Sequence, residues 1–261
     1  MSKDENIRAA AVHLKNARTN KQTTQRISDL FGISGVDEAY AVQEENTRFA
    51  ISKGRRLIGR KIGLTNVAVQ AQLGVDQPDF GMLFADMEFQ TGAKIDLNKL
   101  IQPKIEGEIA FVLKNDINHE DVTLSELFSA IGYVLPALEI VDSAIEDWNI
   151  TFADTVADNA SSAFYVLGNT PTYLNDLDLS LEGMILEKNN EIASIGVGAA
   201  CLGHPLVSCH WLVKKMVQFG RPLKAGDIVL SGALGPMVQI NAGDYISLKL
   251  TRLGGVSCSF I

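Results

Sequence analysis

The chain has 261 residues, 46% of them hydrophobic, and a formal net charge of −8. That is enough for a sizeable core, in one large domain or a domain with an accessory part. The acidic balance, with no basic run and no basic-aromatic stripe, excludes the positive footprint that nucleic-acid binding needs. Cys201, Cys209 and Cys258 have no C-x-x-C spacing and read as free thiols in a reducing compartment. The charged start, Met1 to Asn6, leads into no apolar h-region, so no signal peptide is expected. Nor is there an apolar run of about eighteen residues to span a membrane. A cytoplasmic protein is expected. To bind an anion it would need local positive charge, from a metal or a placed Lys.

Ile7, Ala10, Ala11, Leu14 and Ala17 recur at helical spacing between Asp4 and about Asn20, with His13 a structural or solvated member. A short helix fits Thr24 to Leu30. A third runs from Asp37 to about Ser52, with Tyr40, Gln43, Thr47 and Ile51 along one stripe, and ends at Lys53-Gly54. This N-terminal region, residues 1–54, reads as all-helical and carries no evident chemistry.

From Arg56 to Leu64 the pattern becomes a strand holding Gly59 and Gly63, and glycine inside a strand often marks a close approach. Lys61 would point opposite to Ile58, Arg60 and Ile62; its plain alternative is a surface Lys on an edge strand. Asn66 to Leu73 reads as a short helix between an Asn cap and Gly74. Gln77-Pro78-Asp79-Phe80-Gly81 reads as a turn or loop by its Pro and Gly, where Asp79 could simply form the turn.

The alternation over Ile101–Leu113 is that of a half-buried strand, with Ile105, Gly107, Ile109 and Phe111 on one face and Glu106, Glu108 and Ala110 on the other. Two adjacent carboxylates repel unless something positive lies between them. A divalent metal and a solvated face flanked by Lys104 and Lys114 are the competing readings.

His119 falls in a polar connection, and Thr123-Leu124-Ser125-Glu126 is a capping box opening a helix to about Gly132. Tyr133–Asp142 is an apolar strand in which Pro136 implies an edge or bulge. Glu139 sits there between Leu138 and Ile140. Burying even an uncharged polar group without a partner costs on the order of 2–7 kcal/mol, so Glu139 needs a cation, a hydrogen-bond network or a shifted pKa.

The polar stretch from Glu146 to Ser162 reads as a long, irregular, binding-type loop before a strand at Ala163–Leu167. Beyond Leu177 strands dominate, with a hairpin at Asn189-Asn190 and strands at Gly226–Ser231 and Tyr245–Leu250. One helix begins near Pro205, with Leu206, Trp211, Val213, Met216 and Val217 as its apolar face. Gly196-Val197-Gly198 lacks the third glycine and the acidic partner of a dinucleotide site. His204 and His210 are misspaced for a shared metal, and Cys209-His210 is a weak nucleophile pattern.

Four segments taken together resemble the 2-hydroxypenta-2,4-dienoate (2-keto-4-pentenoate) hydratases of the fumarylacetoacetate hydrolase superfamily. They are Gly59–Thr65, Gln72–Gly81, Pro103–Glu108 and Leu135–Glu139. The resemblance runs from about Ile33 to the end. Trp148-Asn149-Ile150 with Asp154–Ser162 resembles the hydratase branch in particular, and Gly107 stands where the pattern has Ala. The resemblance implies an α+β architecture, a mixed β-fold with an N-terminal helical region, and a catalytic domain over 55–261. It also implies a metal held by Glu106, Glu108 and Glu139, the same three carboxylates that the pattern isolates. An all-oxygen set suits Mg²⁺ or Mn²⁺.

The implied reaction adds water to 2-hydroxypenta-2,4-dienoate, giving 4-hydroxy-2-oxopentanoate in aromatic meta-cleavage catabolism. Lys61, with Asp79, would move protons, and Ser161 would bind or orient the substrate. A Lys beside a dication would have its ammonium form disfavoured, which helps it act as a base. The rivals are a 4-oxalocrotonate decarboxylase of the same fold, hydrolysis of a C–C bond in a β-diketo acid, and a non-catalytic partner of the decarboxylase. The last does not require the Glu106, Glu108, Glu139 and Lys61 set; the second resembles His-assisted chemistry, and none of the four His residues falls in a fitting motif. A homo-oligomer is implied, with a sister decarboxylase as a potential partner.

Overall fold

Three helices open the chain in a computed structural model that describes residues 2–261: α1 (Lys3–Asn20), α2 (Ile27–Phe31) and α3 (Val36–Ser52). Ser2 and Glu5 cap α1 reciprocally. The second helix starts later than expected because Thr24 is drawn into a bridge with Ile145. On α3 the buried stripe is Tyr40, Gln43, Thr47 and Ala50; Ile51 lies beyond its edge and is 40% exposed.

Strands and helices follow as β1 (Leu57–Gly63), α4 (Val67–Leu73), β2 (Asp79–Phe84), β3 (Glu88–Gln90), β4 (Ala93–Ile95), β5 (Pro103–Leu113) and α5 (Leu124–Ala130). Next come β6 (Ile131–Asp142), α6 (Phe152–Ala157), β7 (Ser162–Leu167), β8 (Gly183–Lys188), β9 (Glu191–Val197) and α7 (Pro205–Gln218). The chain ends with β10 (Ile228–Leu230), β11 (Val238–Gln239), β12 (Tyr245–Leu250) and β13 (Gly254–Phe260). They build two mixed sheets. The eight-stranded one runs β2-β1-β10-β5-β6-β7-β3, with β11 also pairing on β5, and the five-stranded one runs β4-β13-β12-β8-β9.

The face of β5 that carries Ile105, Gly107 and Ile109 packs against the second sheet. A Cβ at Gly107 would fall 2.5 Å from Met184 Sδ on β8 and 2.7 Å from Leu248 Cδ1 on β12. Glycine here lets the two sheets close on each other. The opposite face of β5 is thereby left for Glu106 and Glu108.

Several local expectations change. Residues 77–81 are not a turn: Asp79, Phe80 and Gly81 pair with Gly63, Ile62 and Lys61 as the start of β2. Pro78 stands just before the strand, where its missing N–H breaks no ladder bond. Strand β1 is not an edge, since β2 and β10 flank it, and Lys61 is buried. Strand β6 is interior too, and no bulge falls at Pro136. That residue pairs with Ile109, and its carbonyl accepts Gly168 N where the β7 ladder has run out, so no donor is missed.

The stretch 146–162 is also more regular than expected. It contains α6, capped by Thr151 and Asp154, and 3₁₀ turns at Glu146–Trp148 and Asn159–Ser161. The fifth helix stops at Ala130, leaving Gly132 in β6. On α7 the buried face is Cys209, Leu212, Val213 and Met216, with Leu206, Trp211 and Val217 only half-buried. The Asn189-Asn190 hairpin is present, both residues at positive φ as its tight turn demands.

The N-terminal helices share one continuous core with the sheets. Gln43 on α3 donates to the carbonyls of Phe80 and Val156, each at 2.9 Å. Arg18 on α1 donates to Asp142 Oδ2 at 2.9 Å and to Asp158 Oδ1 at 2.8 Å.

Candidate active site

The antiparallel register of β5 and β6 sets Glu106 directly opposite Glu139, and Glu108 opposite Ala137. Two-residue periodicity then brings Glu108 to the same face as the other two carboxylates. One oxygen from each lies within 4.8 Å of the others, a grouping that could hold a metal ion. Glu108 and Glu139 are fully buried. Glu108 Oε2 accepts Gly232 N at 2.8 Å, whereas Glu108 Oε1 and both Glu139 oxygens have no hydrogen-bond partner among the described residues. Buried carboxylate oxygens left so are costly, and a hard divalent cation among them would remove the cost. The donor set fits such an ion.

Lys61 reaches this face from β1. Its Nζ is 3.3 Å from Glu139 Oε2, an ion pair out of line for a hydrogen bond, and it donates to the Ala160 carbonyl at 3.1 Å. Asp79 joins the face from β2, opposite Gly63, and its Oδ1 is buried and unpartnered among the described residues. The glycines around Lys61 make the room. A Cβ at Gly63 would fall 2.2 Å from Asp79 Oδ1, and one at Gly81 would fall 2.3 Å from the Asn159 carbonyl oxygen. Gly63 and Gly81 are thus crowded by the Lys61 and Asp79 side chains and the Asn159 turn, while a Cβ at Gly59 would meet the Ile228 carbonyl of β10 at 2.2 Å.

Ser161 is buried on the 3₁₀ turn that follows α6, its hydroxyl 3.3 Å from that of Thr155. Asn159, Ala160 and Ser161 all take left-handed φ angles, near 57°, 50° and 55°. Such a run without glycine is strained and needs outside support. Asn159 supplies it by accepting Met82 N at 2.7 Å and donating to Met82 O at 3.0 Å, as a strand partner would. The turn in this way aims the Ala160 carbonyl at Lys61.

Four acids share this region with one Lys. Burial, with Glu139 and Asp79 adding to it against the pull of Lys61, lifts the Glu106 carboxyl to about 7. Burial and then the charges of Glu139 and Glu106 hold Glu108 well above the carboxylate range. Burial lifts Asp79 to about 6, with Lys61 opposing. Burial opposes the charge of Lys61 too, but Glu139, Asp79, Glu106 and Glu108 outweigh it and hold the ammonium above its ordinary value. The site is short of positive charge.

Sequence reasoning missed Asn159, Thr155, the Ala160 carbonyl and Gly232. The first three lie in the polar 146–162 stretch, whose composition marked a loop without assigning their roles, and Gly232 directly follows the strand expected to end at Ser231. Gly232 has φ 94°, and a Cβ there would meet Thr65 Oγ1 at 2.4 Å. The histidines are elsewhere: His13 pairs with Thr24, His119 with Asp121, His204 caps α7, and His210 meets the Val122 carbonyl. Burial pushes the Cys209 thiol far above its usual range, so Cys209-His210 is no nucleophile pair.

The family model described as fumarylacetoacetate hydrolase, C-terminal, matches residues 56–260. The chain is 53% identical over 252 residues to 2-keto-4-pentenoate hydratase 1 of Dechloromonas aromatica (strain RCB), covering 97% of this chain and 96% of that one. It is 52% identical over 251 residues to 2-keto-4-pentenoate hydratase of Paraburkholderia xenovorans (strain LB400), covering 96% and 93%. Among solved structures, 4-oxalocrotonate decarboxylase from Pseudomonas putida G7, complexed with magnesium and adipate, superposes with a TM-score of 0.94 at 35% identity, covering 100% and 99%.

Proposed function

The chain belongs to the fumarylacetoacetate hydrolase family, and we propose that within it the protein is a hydro-lyase adding water to 2-hydroxypenta-2,4-dienoate to form 4-hydroxy-2-oxopentanoate. The observation that carries this reading is the cluster of half-buried Glu106 and buried Glu108 and Glu139 beside Lys61, in a chain about half identical to hydratases over nearly its whole length. A role in aromatic meta-cleavage catabolism follows from that reaction, and the hydratase names of those relatives support it.

Glu106, Glu108 and Glu139 would hold Mg²⁺ or Mn²⁺, which when bound supplies Lewis-acid stabilisation of developing negative charge. Lys61 Nζ and the Asp79 carboxyl are the groups that move protons: the C2 hydroxyl loses its proton as C5 gains one, giving the 2-oxo tautomer, and water then supplies its oxygen to C4 and a proton to C3. Asp79, raised towards neutrality, suits that exchange. Ser161 orients the substrate through its hydroxyl, and the burial of Glu108, Glu139 and Lys61 keeps bulk water from the dienolate. The chemistry is assigned to 55–261 and a buttressing role to 1–54, in line with Gln43 and Arg18. A cytoplasmic homo-oligomer, with a sister 4-oxalocrotonate decarboxylase as partner, completes the proposal; no helix among the described residues is long and apolar enough to cross a membrane.

The test is to mix the protein and Mg²⁺ with 2-hydroxypenta-2,4-dienoate and, separately, with 2-oxohex-3-enedioate, and identify the products by mass. Gain of water by the first, without CO₂ from the second, is expected. Release of CO₂ from the second alone would make the protein a decarboxylase.

A further inference from the structure

A second cavity, of about 430 Å³, lies between the N-terminal helices and the reverse of the segment that carries Ser161. Its walls include Leu14, Phe49, Phe84 and Met87, so its body is apolar. Around them stand Lys15, Lys21, Lys53 and Lys99, none of which has an acidic partner among the described residues. This is unusual in a chain of net charge −8. The acids that line the cavity, Asp142 and Asp158, are already committed to Arg18.

Two of these lysines, and Arg55, which is paired with Asp86, face aromatic rings. Lys15 Nζ sits 4.0 Å from the centre of the Phe49 ring and Lys53 Nζ 5.5 Å from it, while the Arg55 guanidinium covers Phe84 at 4.2 Å. Burial first, and then repulsion from Arg18 and Lys99 against the pull of Asp142, push the Lys21 ammonium below its ordinary value. Ser162, which also lines the cavity, is 7% exposed, and its Oγ has no hydrogen-bond partner among the described residues. An apolar hollow with unpaired cations at its rim and a spare hydroxyl in its wall is built for a ligand.

We propose that this cavity is a second binding site, separate from the carboxylate cluster, for an amphipathic organic anion: a flat apolar body bearing one carboxylate, sulfonate or phosphate group. The body lies against Phe49, Phe84 and Met87, and the acid group is met by the lysines. Because the wall is the back of the 158–162 segment, an occupant touches the main chain that also positions Ser161 and the Ala160 carbonyl.

The probe is 8-anilinonaphthalene-1-sulfonate, titrated by fluorescence and calorimetry into the full-length, Mg²⁺-loaded protein. We expect one probe per chain, with binding weakened about tenfold by Lys15→Gln combined with Lys53→Gln. The neutral analogue N-phenyl-1-naphthylamine should bind correspondingly worse. Ala163→Phe, which fills the cavity from β7, should abolish binding and is checked for an unchanged circular dichroism spectrum. Should that variant misfold, the two surface lysine changes decide the matter alone. Binding unaffected by the lysine changes, equal affinity for the neutral analogue, or no binding at all would overturn the proposal.

Discussion

Glu106 stands directly across the β5–β6 pair from Glu139, and the only cation that reaches Glu139 among the described residues is Lys61 Nζ, 3.3 Å from its Oε2. Like charges placed opposite each other destabilise a sheet. The register is therefore a cost that a bound dication would reverse.

Glu106→Gln should weaken Mn²⁺ binding by roughly two orders of magnitude, because affinity in an all-oxygen site follows ligand charge. Turnover at modest metal concentration should vanish with it. Calorimetry on the purified variant checks this, and wild-type affinity would remove Glu106 from the ligand set.

Lys61→Ala should lower kcat about 10²–10⁴-fold, the range for losing a proton-transfer group. Metal affinity should hold or tighten, since a competing positive charge next to Glu139 has gone. Parallel metal titration and steady-state assays separate the two effects. Normal turnover would reduce Lys61 to a structural residue.

Gly81→Ala should destabilise the protein by about 1–3 kcal/mol, the range for overpacking. The added carbon would fall 2.3 Å from the Asn159 carbonyl, main chain that cannot swing aside. A lowered urea midpoint and a lowered kcat are both expected, as the turn carrying Ser161 must move. An unchanged midpoint would show that the turn yields freely.

In chelator, the protein should lose stability as pH rises. Glu106, held at about 7, and Asp79, at about 6, keep protons in the folded state that the unfolded chain releases near pH 4. Between these limits the folded state binds more protons, so unfolding free energy falls with increasing pH, by about 1.4 kcal/mol per pH step of one for each extra proton that the folded state holds. Saturating Mg²⁺ should flatten the slope. Urea melts at pH 5 and pH 8, with and without metal, provide the comparison; a metal-independent profile would contradict it.

The chemistry of the site was more legible in the amino-acid sequence than its scaffolding. Glu139 stood out because a carboxylate in an apolar strand cannot be idle, and Glu106 and Glu108 because a period of two puts them on one face. Asp79 was harder, since Pro78 and Gly81 imitate a turn while one merely precedes the strand and the other admits the Asn159 carbonyl. Asn159 stood out only as one member of the polar 146–162 stretch. Its role, imitating a strand partner for Met82, exists only once residues far apart in the chain have met. The helical N-terminal region showed its periodicity but not its purpose, because Gln43 and Arg18 act through contacts with distant backbone and acids.

The Arg18 ion pairs also bear on how the molecule is made. Its partners Asp142 and Asp158 lie 124 and 140 residues further along the chain. At about 5–20 residues per second of synthesis, roughly 7–28 seconds separate Arg18 from Asp158 on the ribosome. During that interval Arg18 lacks at least one of its two acids, while α1 already has α2 and α3, which follow it directly, to pack against. Closure of both Arg18 pairs thus waits for β6 and α6 to be made, so α1 is fastened to the sheet only then.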